Sequence, residues 1–90
     1  MSFLKRVESR FVIASETFVL RGYSIHDRFY SKFEKLFNKL NLEAEMTEDV
    51  DDDEHYYDIR GTHDDLVKFL NAVQKPKPTA KELAETIVRE

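Results

Sequence analysis

Hydrophobic positions recur with the two-residue period of a strand in some parts of the chain and with the 3.6-residue period of a helix in others. Residues 10–20, "RFVIASETFVL", are rich in β-branched and aromatic residues and predict a strand. Leu4, Val7, Phe11 and Ala14 also fit a helix, so the N-terminal stretch carries two readings, of which the strand is preferred. Leu42, Ala44 and Met46 alternate with Glu43, Glu45 and Thr47, the pattern of a half-buried strand. In "HYYDI", Tyr57 and Ile59 fall on one face and Tyr56 and Asp58 on the other. Ile25, Phe29, Phe33, Leu36, Phe37 and Leu40 form one helical stripe, and Leu66, Phe69, Leu70 and Val73 form a second. A third helix, over residues 79–90, presents Ala80, Leu83, Ala84, Ile87 and Val88.

The punctuation between these elements repeats. The chain has two glycines, Gly22 and Gly61, and both follow an arginine that ends a predicted strand. Each precedes a capping-box pattern, Ser24 with Asp27 and Thr62 with Asp65; Thr79 with Glu82 makes a third. Arg-Gly therefore reads as a strand-to-helix corner, with glycine permitting the change of direction. The predicted order is β-α-β-β-α, an α+β fold with a three-stranded sheet, two packed helices and an extra C-terminal helix. This is the order of the split βαβ, ferredoxin-like arrangement without its last strand. In it the strands before the two corners are expected to lie side by side and parallel, with Arg21 and Arg60 at one sheet end and the acidic connection at the other. Residues 1–73 form the predicted domain, residues 74–78 ("QKPKP") an extended spacer, and residues 79–90 a helix that docks on its own sheet or on a second copy. Leu83, Ala84, Ile87 and Val88 are the candidate dimerisation residues.

Ninety residues bound the count to one domain, and the absence of cysteine removes disulfide and thiolate-metal chemistry and suits a reducing cytoplasm. No signal-peptide core or membrane-length apolar run is present in the sequence. The net charge of -4 is strongly segregated: residues 1–41 carry +4, residues 42–65 carry -10 and residues 66–90 carry +2. Such a mixed field argues against a general nucleic-acid binder and leaves room for local charged surfaces.

Four groups of residues are candidates for chemistry. Arg21 and Arg60, beside two predicted helix N-termini, suit an anion, although Asp27, Asp64 and Asp65 stand ready to satisfy them internally. Arg28, Lys32, Lys35 and Lys39 recur at intervals of four, three and four and make a basic ridge, which with Tyr23 or Tyr30 could follow an RNA backbone. Glu48, Asp49, Asp51, Asp52, Asp53 and Glu54 form an acidic patch that lacks the spacing and glycine of a calcium loop and suits a solvated hairpin or a basic partner. His26 and His63 occupy matching places after the two glycines, and His55 opens a strand, but no nucleophile, phosphate loop or metal-ligand spacing accompanies them.

The reading that follows is a non-enzymatic interaction or regulatory protein, with no cofactor or metal, that binds another macromolecule through segregated acidic and basic surfaces. A protein partner is expected first, RNA second, a homodimer as an alternative use of the C-terminal helix, and no membrane. Small, acidic, cysteine-free, aromatic-rich composition resembles that of accessory or inhibitor proteins of phages and mobile elements, which act by binding host machinery; the resemblance is one of composition and not of a motif.

Overall fold

The computed structural model describes residues 16–49 and 53–90. Residues 1–15 and 50–52, which include the first part of the predicted N-terminal strand and Asp51 and Asp52 of the acidic patch, lie outside them. The described residues contain four strands: β1 (Phe18–His26), β2 (Glu43–Asp49), β3 (Glu54–Gly61) and β4 (Ile87–Arg89). They form one sheet in the order β2-β3-β1-β4, with every neighbouring pair antiparallel. Three α-helices among the described residues accompany it: α1 (Tyr30–Lys39), α2 (His63–Val73) and α3 (Ala80–Thr86). The class is α+β as predicted, with four strands in place of three.

The expected parallel pairing of the strands before the two glycines is corrected to an antiparallel one: the helical crossover brings β2 in parallel to β1, the β2–β3 hairpin reverses the chain, and β3 therefore enters between them antiparallel to both. Nor does β1 stop at Arg21-Gly22. It continues to His26, and its register with β3 runs from Phe18 opposite Gly61 to His26 opposite Glu54. Between Leu20 and Tyr23 the register shifts, so Arg21 and Gly22 face the single residue Asp58. That is a β-bulge, and Gly22 adopts a left-handed φ of 65° there. Its amide donates to Asp58 Oδ1 at 3.1 Å. The space around Gly22 is open, so Gly22→Ala meets no clash and pays only the left-handed backbone, about 1 to 2 kcal/mol. Chemical denaturation should show a loss of that size with an unchanged m-value. Gly61 serves a different need, since a Cβ there would run into the Leu42 side chain.

The predicted capping box at Ser24 and Asp27 is absent for the same reason. Ser24 is still in the strand, and its hydroxyl donates to Glu54 Oε2 at 2.5 Å across the β1–β3 pair. A 3-10 turn (Asp27–Phe29) follows, and α1 starts only at Tyr30. Ile25 therefore belongs to the strand, where it is buried, and Phe29 is left 41% exposed. The second and third capping predictions fare better. Thr62 accepts from the Asp65 amide at 3.1 Å, and Thr79 with Glu82 closes a full reciprocal box that starts α3.

The C-terminal stretch also departs from a single helix over residues 79–90. α3 ends at Thr86, and Ile87, Val88 and Arg89 pair with Leu20, Val19 and Phe18. The β-branched pair Ile87-Val88 fits a pleated edge at least as well as a helix, and β1 offers an open edge to complete. Ile87 is buried and Leu83 packs partly buried against the core, so two of the four candidate dimerisation residues are used within their own chain. Ala84 and Val88 remain exposed.

One face of the sheet carries the main core cluster, and Val19, fully buried opposite Arg60 and Val88, lies on the other. Leu20, Ile25, Tyr57, Ile59 and Ile87 from the strands meet Phe37 of α1 and Leu66, Phe69 and Leu70 of α2, with Leu42 closing the α1–β2 connection. Phe69 is the centre of an aromatic group, with ring centroids of Tyr23, Phe37 and Phe33 at 5.4, 5.5 and 5.9 Å. Half-burial of Tyr23 pushes its phenol above the ordinary value of 10.0. The folded state then holds a proton that the unfolded chain releases above about pH 10, so this contribution to stability is constant below that pH and is lost above it. Tyr23→Phe should flatten the alkaline limb of the stability–pH curve, measured by denaturant titration.

Candidate interaction surfaces

The opposite sheet face follows from alternation. Glu43 and Glu45 on β2, Asp58 and Arg60 on β3, and Val88 on β4 share it, while Ala44, Ile59 and Ile87 turn to the core. Here the two arginines singled out by sequence do approach a common point, but the anion they meet is the chain's own Asp58. Arg21 Nη1 lies 3.7 Å from Asp58 Oδ2 and Arg60 Nη2 lies 3.8 Å from the same oxygen. Arg60 also donates to Glu90 Oε2 at 2.5 Å and to Glu45 Oε1 at 3.0 Å. The bond to Glu90 first, and that to Glu45 next, hold the Arg60 guanidinium above its ordinary pKa. Three carboxylates around two arginines leave this network with a formal charge of -1, which disfavours a further anion. Neither arginine stands at a helix N-terminus, because both are inside strands.

Among the described residues β2 is an edge strand, and four of its seven residues are acidic. Glu43, Glu45 and Glu48 are exposed along it, and Met46 is 52% exposed between them. Charge on an edge opposes unwanted strand pairing, and it also presents a negative strip to a basic partner. Of the predicted acidic patch, Glu48 and Asp53 are exposed; Asp53 accepts the Asp27 amide through its carbonyl at 2.6 Å, and Glu54 accepts Ser24. The strip therefore begins earlier than the sequence pattern suggested, at Glu43.

The basic ridge lies in the helical layer. Lys32, Lys35 and Lys39 are exposed on α1 and fall within about 60° of arc. Arg28 precedes the helix in the 3-10 turn, with its guanidinium carbon 4.9 Å from the centre of the Phe29 ring. Among the described residues Lys32, Lys35 and Lys39 form no ion pair, whereas Arg21, Arg60 and Arg89 are all paired. The tyrosines expected to stack on bases are engaged elsewhere: Tyr23 packs on Phe33 and Phe69, and Tyr30 stacks on Tyr57 at 5.5 Å.

Beside the ridge, Phe29, Lys32, Phe33 and Leu36 with Ala72 and Val73 of α2 line a groove of about 410 Å³. Sequence reasoning placed Phe29 in the core and missed this surface. The change in phase at the 3-10 turn, which turns Phe29 outward, has no signature in the hydrophobic pattern.

The histidines do not assemble. The antiparallel pairing sends His26 to the end of the sheet where β3 begins, opposite Glu54, while His63 packs edge-on against Phe18 at the other end, 5.2 Å between ring centres. His55 Nε2 is 4.0 Å from Asp27 Oδ1. Among the described residues no group of three His, Asp or Glu is placed to hold a metal ion, and no helix is long and apolar enough to cross a membrane. No family model, curated protein or solved structure matches this chain.

Proposed function

We propose that this chain is a non-enzymatic interaction protein that regulates another macromolecule, most naturally a protein, through two oppositely charged surfaces. The observation that carries the reading is the contrast in how charge is used. Among the described residues Lys32, Lys35 and Lys39 form no ion pair in the helical layer, and Glu43 and Glu48 face solvent on β2, the last strand of the sheet on that side. Surface charges that do not pair at home contribute little to stability and are suited to steering and orienting a partner. The strand order β2-β3-β1-β4, with a helix after β1 and after β3, supports a ferredoxin-like, split βαβ scaffold for these surfaces. That scaffold hosts many activities and does not itself select one.

An accessory protein of phage or mobile-element type, acting on a host protein, fits this reading. The RNA-binding alternative retains the basic ridge but has lost Tyr23 and Tyr30 as stacking surfaces. The double variant Glu43→Lys, Glu48→Lys should slow association with the partner several-fold at about 50 mM salt and far less at about 500 mM, where screening removes the effect of the strip. Rapid-mixing kinetics on the isolated pair checks this. Equal rates at low salt would remove β2 from the interface.

A further inference from the structure

Resting on the interaction reading above, we propose that the groove between α1 and α2 receives an acidic amphipathic helix of the partner protein. Five of its six lining residues are apolar: Phe29, Phe33, Leu36, Ala72 and Val73. Phe29 is 41% exposed, the largest side chain among the exposed hydrophobics of the described residues. A volume of about 410 Å³ is within the range of functional pockets and suits apolar anchors one helical turn, about 5.4 Å, apart.

The charge around the groove selects the sign of the partner. Lys32 is in its wall, Arg28 lies over Phe29 at one end, and Lys35 and Lys39 continue the ridge beside it. From α2, exposed Lys68 precedes Ala72 by one turn, and exposed Lys75 follows Val73 by two residues. One acid shares the turn with Phe29: Asp27, whose carboxylate lies 4.0 Å from His55 Nε2. Two others are farther off. Glu34 falls about 160° around α1 from Lys32, and Asp65 is about 10 Å along α2 from Ala72. An apolar trough with cationic rims is complementary to a helix that carries leucine-like anchors on one face and carboxylates on both flanks. A nucleic acid would meet the same cations and the exposed Phe29 ring, but that ring already carries the Arg28 guanidinium, and the aliphatic wall of Leu36, Ala72 and Val73 offers a base no further flat surface.

The test uses the full chain and a labelled peptide of about 18 residues, long enough to be helical, with Leu at i, i+4 and i+7 and Glu at the flanking positions. Fluorescence anisotropy and amide chemical shifts are read together. Saturable binding is expected, with shifts centred on Phe29, Lys32, Phe33, Leu36, Ala72 and Val73. Ala72→Glu, an exposed position compatible with α2, should weaken binding at least tenfold, and a peptide with Lys in place of Glu should not bind. Absence of saturable binding overturns the proposal, as does tighter binding of poly-uridine at the same residues. If Ala72→Glu has no effect while Lys35→Glu with Lys39→Glu abolishes binding, the groove is overturned and the charged-surface reading stands. If neither substitution changes binding, both are overturned.

Discussion

Replacing Phe69 by alanine should lower the melting temperature by roughly 15 to 30 °C, or leave the chain unfolded at ambient temperature. Phe69 is fully buried and touches the rings of Tyr23, Phe33 and Phe37, which come from β1 and α1. Truncation removes transfer free energy and leaves a cavity, together about 3 to 5 kcal/mol, and the aromatic contacts add to it. A domain of this size has about 5 to 15 kcal/mol in total, and each kcal/mol shifts the midpoint by about 4 to 8 °C. Phe29→Ala is the matched control: the same chemical change at a 41% exposed site should cost less than about 1 kcal/mol. Thermal unfolding followed by circular dichroism checks both. Similar midpoints for the two variants would contradict the assignment of Phe69 to the centre of the core.

The second large effect is expected from truncation after Gln74, which should abolish cooperative unfolding. The segment removed includes Ile87, which is buried in the core against Leu20, and Leu83, which packs beside it. It also removes the three-residue ladder that covers the edge of β1 and the Glu90 carboxylate that holds Arg60. Loss of Ile87 alone costs about 2 to 5 kcal/mol, and each ladder hydrogen bond about 0.5 to 1.5 kcal/mol, so the sum approaches the whole stability of the domain. Denaturant titration and sedimentation report on the outcome. A full-length dimer that becomes a well-folded monomer on truncation would instead place the C-terminal segment on a second copy.

The elements most legible in the sequence are those set by local chemistry. The alternation of β2 and β3, the stripe of α2 and the caps at Thr62 and Thr79 all need only near neighbours, and all appear where the pattern puts them. The errors arise where a distant partner decides. Arg21-Gly22 reads as a corner until Asp58 is opposite it, because a left-handed glycine serves a bulge as readily as a turn. Ser24 and Asp27 mimic a capping box, yet Ser24 finds Glu54 across the sheet. Ile87 and Val88 sit at helical spacing from Leu83 and Ala84, and only the free edge of β1 turns them into a strand. The run Thr86, Ile87, Val88, three β-branched residues together at a site where a split βαβ order lacks its last strand, was a signal for β4.

Candidate surfaces were legible as charge and less so as shape. The lysine ridge follows from helical spacing alone, and the acidity of β2 is visible in "EAEMTED". The groove beside the ridge depends on two helices meeting and on Phe29 turning outward, neither of which a single chain segment encodes. Likewise, Arg21 and Arg60 looked available for a ligand because their partners, Asp58, Glu45 and Glu90, are brought to them only by the sheet.

The central claim is that unpaired surface charge on this chain serves a protein partner, and affinity capture from a nuclease-treated lysate tests it most directly. The tagged chain is compared with one variant carrying Lys32→Glu, Lys35→Glu and Lys39→Glu and another carrying Glu43→Lys and Glu48→Lys, each confirmed to be folded. The account predicts a stoichiometric protein that survives nuclease treatment and is depleted at least tenfold by one of the two reversals. Capture that vanishes with nuclease, or that both reversals leave unchanged, would contradict it.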